Sequence, residues 1–227
     1  MTTHFERLTK SMSLMALNAR AIGNQYYELS CNPEVVKEHI WVNQMVARAT
    51  VPLMREVITC MEDYPKDDLS NILTSYMRRH IAEETDHDEW YVNDLELLGL
   101  TREEIFSRPP PPNVASLSGS QYYWIKHHHP VAFMGYLGCL EVYHPTVEYV
   151  EGLIKNSGLP VKAFSTVMEH AVIDAQHKED IIETINSLPL TEEQYQTIEL
   201  SAFQTFRYVA KVMEDICRVA PKQVISA

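Results

Sequence analysis

Glycine is scarce in this sequence: 7 in 227 residues, where about 7 % is ordinary. That disfavours turn-rich β architectures and glycine-rich phosphate loops. Basic charge is also short. Lys and Arg total 19 against 31 Asp and Glu, a formal net charge of −12. No basic run occurs, so the counterion-releasing surface that nucleic-acid binding requires is missing. No uncharged apolar run reaches the ~20 residues of a membrane-spanning helix, and the opening MTTHFERLTK has no apolar signal-peptide core. The four cysteines (Cys31, Cys60, Cys139, Cys217) are scattered without a C-x2-C pair. They read as reduced thiols of a cytoplasmic protein rather than a disulfide framework. The expectation is an acidic cytoplasmic domain with no nucleic-acid or membrane partner, long enough for a substantial core.

What is present is helix and histidine. Apolar residues recur at spacings of 3 and 4 almost throughout. The pattern predicts an all-α, single-domain bundle of about seven helices spanning residues 1–227. An amphipathic stretch runs from about Thr3 to Glu28. Asn32-Pro33 reads as an N-cap with proline at the first helical position, starting a helix to about Met61 that Pro52 should kink. A long helix is predicted from Asp68 to Leu98, ending at Gly99. Thr101–Glu104 and Thr191–Gln194 are capping boxes. A Pro/Ser-rich loop is predicted over 109–120. A helix from Pro130 should continue, kinked, past Pro145 to Lys155. Further helices cover about Val161–Ser187 and Thr191 onward, before a frayed tail at 219–227.

Ten histidines are the most informative part of the composition. His80-Ile-Ala-Glu-Glu84-Thr-Asp-His87 reads H-x3-E-x2-H, and His170-Ala-Val-Ile-Asp174-Ala-Gln-His177 reads H-x3-D-x2-H. On a helix, positions 0, 4 and 7 fall within about 60° of one another. Each segment therefore presents two imidazoles and a carboxylate on one face. Two such faces meeting in a core make a metal site by the usual construction of helical bundles. Imidazole with carboxylate suits Fe, Mn, Zn or Cu. Glu83 competes with Glu84 for the carboxylate role. Glu141 is the sole acid in a strongly apolar run, where an unpaired carboxylate costs several kcal/mol; it is a candidate bridging ligand. Gly135 and Gly138, in the same run, point to close helix approach or an open pocket. His127-His128-His129 reads as structural, since adjacent helical residues do not share a face. Cys139 reads as packing, and Tyr26, Tyr27, Trp90 and Tyr122–Trp124 as core or pocket lining.

On these motifs the chain resembles the haem-oxygenase-like diiron oxidases and oxygenases, over most of its length from about Asn32. The resemblance implies a haem-oxygenase-like fold and two Fe(II) ions, with Mn or another transition metal as alternatives. It implies His80, Glu84, His87, Glu141, His170, Asp174 and His177 as ligands. The chain departs from the commonest family pattern at His80, where many members carry a carboxylate. Implied too are O2 as co-substrate, a small-molecule substrate such as an amino acid or its derivative, and a homodimer. N-oxidation, C–C cleavage and nitrile formation are the outcomes it suggests. Relatives of the fold keep two other readings open: a metal-free TenA-like hydrolase using Cys139, and a non-catalytic, CADD-like interaction protein.

Overall fold

The computed structural model describes residues 2–143 and 145–220, with the backbone alone at Leu14, Ala16, Asp174 and Ala175. The described residues form ten α-helices and three short 3-10 segments, rather than about seven helices. In chain order the helices are α1 (His4–Leu29), α2 (Pro33–Cys60), α3 (Asp68–Glu84), α4 (His87–Leu97), α5 (Arg102–Ser107), α6 (Pro112–His127), α7 (Phe133–Val142), α8 (Val147–Ser157), α9 (Ser165–Ser187) and α10 (Glu192–Cys217). The caps read from the sequence are in place. Asn32 Oδ1 accepts from Glu34 N, with Pro33 opening α2. The boxes at Thr101 and Thr191 are both closed.

Three predicted elements are corrected. The long helix over 68–98 is two helices, because Thr85 is extended and Asp86 sits in the left-handed region at φ 73°. Asp is among the few residues that tolerate that conformation. The helix expected to run through Pro145 instead ends at Val142, and Thr146 starts α8 by accepting a hydrogen bond from Tyr149 N. Proline removes a helical N–H and its ring crowds the preceding turn, so a break replaces the expected kink. The Pro/Ser-rich loop of 109–120 shrinks to its prolines. From Pro112 onward the segment is helix α6, with Val114, Leu117, Gln121 and Ile125 buried. Packing against α2 and α10 overrides the weak helix propensity of its serines and Gly119. Of the tail expected at 219–227, residues 221–227 lie outside the described residues.

The helices enclose two apolar cores. The first gathers Leu8 and Met12 of α1, Leu53 and Val57 of α2, Leu73 and Met77 of α3, Phe133 to Leu137 of α7, Ile181 and Ile185 of α9, and Phe206 of α10. Gly135 makes this core tight. A Cβ there would collide with the Ile198 carbonyl and the Ala202 N–H of α10. The second core gathers Val36 and Ile40 of α2, Tyr91, Val92 and Leu95 of α4, Val150 of α8, and Val167 and Ala171 of α9. Helices α2 and α9 run through both, and α3 hands over to α4 where the two cores meet. That seam is where polar side chains become buried.

Candidate metal centre

Six of the seven predicted ligands converge at the seam. His80 and Glu84 come from the last turns of α3, and His87 from the first residue of α4. Glu141 comes from the last turn of α7, and His170 and His177 from the middle of α9. Asp174 lies between the latter two on α9, and its side chain is outside the described residues. The donor atoms fall into two groups. His80, Glu84, Glu141 and His177 form one, and Glu84, His87 and His170 form the other; in each, one donor atom per residue lies within 4.8 Å of the rest. Glu84 belongs to both.

In the first group His80 Nε2 lies 3.4 Å from Glu141 Oε1, and His177 Nδ1 lies 3.4 Å from Glu141 Oε2. Glu84 Oε1 is 3.7 Å from His177 Nδ1. The far nitrogen of His80, Nδ1, faces Glu83 Oε2 at 3.1 Å. Glu83 therefore orients the ring from behind, while Glu84 faces the centre. In the second group His87 Nδ1 is 3.1 Å from Glu84 Oε2. His170 Nδ1–H donates to the Thr166 carbonyl at 2.8 Å, which leaves Nε2 as the ligating nitrogen. Buttressing of the second imidazole nitrogen is characteristic of metal-binding histidines. The histidines pair across the seam in matching fashion. His80 meets His177 edge-on at 4.9 Å between centroids, and His87 meets His170 at 4.8 Å. Tyr76 stacks on His80 and Tyr91 on His170, and Trp90 covers His87.

Sequence reasoning missed Asp94. This fully buried residue of α4 accepts from Ser165 Oγ and from Thr166 N. Helix α9 has no side-chain cap of its own, so Asp94 caps it from another helix. The capped Thr166 is the residue whose carbonyl holds His170. The only sequence signal is an acid within an apolar face, weaker than that at Glu141.

Electrostatically the cluster holds itself together with protons. Burial acts to raise the Glu141 carboxyl, but contacts with His177 and His80 and their positive charge outweigh it and bring it down to about 2. Burial acts to lower His80, and Glu141, with help from Glu84 and Glu83, raises it instead. Glu84 is pushed up by burial and held down overall by His87. One atom nonetheless stays unsatisfied: Glu84 Oε1 is buried without a hydrogen-bond partner. Buried polar atoms are rarely left so. Glu84 Oε1 points among donors of a type that suits iron, so the residues present fit a metal ion.

Residues 38–208 match a family described as iron-containing redox enzymes. The chain belongs to this family. Its fold is haem-oxygenase-like. A domain of unknown function with that fold, from Shewanella denitrificans OS217, superposes with a TM-score of 0.75 at 17 % identity, covering 92 % of each chain. A TenA homologue from Pseudomonas syringae pv. tomato DC3000 gives a TM-score of 0.71 at 14 % identity, covering 94 % of this chain and 92 % of that one. No curated protein matches the sequence significantly.

The remaining candidates lie elsewhere. His128 Nε2 faces Thr197 Oγ1, His129 Nδ1 accepts from Val131 N, and His127 packs on Tyr123. The histidine triplet thus points three ways. Cys139 is buried in the first core, donating to the Ala202 carbonyl, and burial pushes its thiol well up. A nucleophilic cysteine needs the opposite shift. Tyr26 is buried against His39, while Tyr122 lines a surface cleft. His144 is outside the described residues. No described helix is long and apolar enough to cross a membrane.

Proposed function

We propose that this protein is a non-haem diiron enzyme that uses O2 to oxidise a small molecule, an amino acid or amino-acid derivative in the first instance. The observation that carries the reading is the pair of buried donor groups sharing Glu84. A carboxylate with one oxygen toward each of two ligand sets is suited to bridge two metal ions. His80, Glu141 and His177 would complete one site, and His87 and His170 the other, with Asp174 of the same α9 face as a further ligand. Bound iron supplies O2 binding and one-electron redox chemistry, which side chains alone lack. The protein's part is geometric. Glu83 and the Thr166 carbonyl fix which imidazole nitrogen faces the centre. The apolar cores on either side restrict water, and Trp90 shields His87 on the solvent side. His80 adds a neutral ligand where many relatives place an acid, which lowers the negative charge around the ions and favours Fe(II) over Fe(III).

The family described as iron-containing redox enzymes supports iron and redox chemistry. The buried, carbonyl-bonded thiol of Cys139 weighs against the hydrolase reading. Protein reconstituted anaerobically with Fe(II) should bind two iron ions per chain, then consume O2 faster with one member of an amino-acid library than without it. Uptake below one iron per chain overturns the reading. Full uptake by both His87→Ala and His170→Ala overturns the site.

A further inference from the structure

Helices α2 and α6 flank a surface cleft of about 190 Å³, walled by Arg48 and Pro52 on one side and by Val114, Ser118 and Tyr122 on the other. Arg48 is unusual in this acidic chain. It is partly buried, and it is the only partly buried arginine among the described residues that makes no ion pair. Its guanidinium lies over the Phe106 ring at 5.6 Å. No hydrogen bond or ion pair among the described residues engages its N–H groups, and a guanidinium's forked edge suits planar oxyanions. Every other partly buried arginine is matched to an acid: Arg7 to Glu192, and Arg108 to Glu38 in a two-bond fork.

Polar atoms continue inward from this mouth. Ser118 is on the cleft wall, and beside it lies the hydroxyl of the fully buried Tyr136, near Thr50 and within the field of Glu141 and Glu84. The Tyr136 hydroxyl lies against those of Ser118 and Thr50, so a chain of hydroxyls runs inward from the cleft wall. One turn from Arg48 on α2, the fully buried amide of Gln44 leaves both its oxygen and its nitrogen unpartnered. Unsatisfied buried polar groups cost about 1–3 kcal/mol each. An unpartnered buried amide one turn along α2 from a cation without an ion pair suits a polar ligand.

We propose that the α2–α6 cleft receives a carboxylate-bearing substrate, its carboxylate on Arg48 and its remainder directed past Ser118 and Tyr136 toward the carboxylates of the metal centre. Binding rests on the cleft alone; what then happens to the ligand rests on the oxidase reading. Charge-assisted, two-bond contacts to a carboxylate are among the stronger hydrogen bonds, and a neutral amide cannot replace them.

Calorimetric titration of the metal-free protein, and separately of the Fe(II)-loaded protein under anaerobic conditions, tests this. The probes are the proteinogenic L-amino acids and straight-chain carboxylic acids, each against its primary amide. At least one acid should bind, with its amide tenfold weaker or worse. Arg48→Ala should erase that preference with iron content unchanged, and Arg48→Lys should restore part of it. Ala115→Trp, an exposed position on the same wall, should weaken acid binding by filling the cleft, which keeps the test alive should Arg48 variants fold poorly. Equal binding of acid and amide, unchanged binding by Arg48→Ala and Ala115→Trp, or no binding by any acid overturns the proposal. Because the metal-free titration needs no iron, failure of the diiron reading and failure of the cleft are read separately.

Discussion

Glu84→Ala is the substitution that discriminates most sharply. Glu84 is the one residue common to the two donor groups, so its loss reduces four described donors to three in the first and three to two in the second. Two neutral imidazoles, His87 and His170, are then left to hold a divalent ion. His170→Ala damages only the second group, and His80→Ala only the first. Iron stoichiometry should therefore fall from two per chain to about one in each histidine variant and below one in Glu84→Ala. The stability effect follows from linkage. An ion supplied at a hundred times its dissociation constant stabilises the fold by about 2.7 kcal/mol, so two ions contribute about 5 kcal/mol. In a domain of this size each kcal/mol moves Tm by about 2–4 °C. Iron should then raise the wild-type Tm by about 10–20 °C, each histidine variant by about half of that, and Glu84→Ala scarcely at all. Anaerobic scanning calorimetry with parallel iron analysis reads both quantities. Two irons retained by Glu84→Ala, or the same deficit in Glu84→Ala and His170→Ala, would refute the shared-carboxylate argument.

Metal uptake and metal-free stability should respond to pH in opposite senses. Iron must displace the proton that Glu141 keeps on His80, whose pKa is raised, so Fe(II) affinity should keep climbing as pH rises past about 6.5, by up to about tenfold per unit for each proton released; a titration flat from pH 6 upward contradicts this. In the metal-free protein the raised His80 contributes stability below about 6.5 that is lost as pH rises through its folded pKa. The depressed Glu141 contributes stability above about 4.5 that is lost as pH falls toward its folded value of about 2. Denaturant unfolding should accordingly find this cluster's contribution greatest in the mildly acidic window between. Asp94→Ala strips the cap from α9 and leaves Thr166 N and Ser165 Oγ unpaired, costing about 2–3 kcal/mol and weakening iron binding at the His170 group by about tenfold or more; unchanged iron affinity would show that the cap does not position His170. Gly135→Ala forces a methyl into the α10 backbone and should cost about 3 kcal/mol, seen as a lower urea midpoint. Asp86→Gly relieves the left-handed residue and should be neutral or stabilising by about 1 kcal/mol, whereas Asp86→Val should destabilise by at least that much and reduce iron uptake through His87.

The two histidine motifs were legible in the sequence, but the helical wheel placed them only partly. It correctly brings His170 and His177 to one side of α9. It discards distance along the axis. Seven residues at 1.5 Å each separate the two by about 10 Å, too far to share one ion, so the motif's first and last histidines belong to different donor groups. The antiparallel approach of the two segments completes the pattern, pairing the first histidine of one motif with the last of the other: His80 with His177, and His87 with His170. The break at Asp86 was not legible, because Glu-Glu-Thr-Asp-His carries no glycine or proline. That left-handed residue lets α4 leave α3 and pack on α2 in the second core while His87 still faces the seam. The choice between Glu83 and Glu84 turned on the same region: adjacent residues differ by about 100° around the helix, and only the packing partners decide which faces inward. Glu141 was found from composition alone, since a lone acid in an apolar run needs a partner. Asp94 was not, because its partner lies on α9, 71 residues away. Local patterns reveal which side chains can bind a metal; long-range packing decides which of them share an ion, and Glu84 is where the two kinds of information meet.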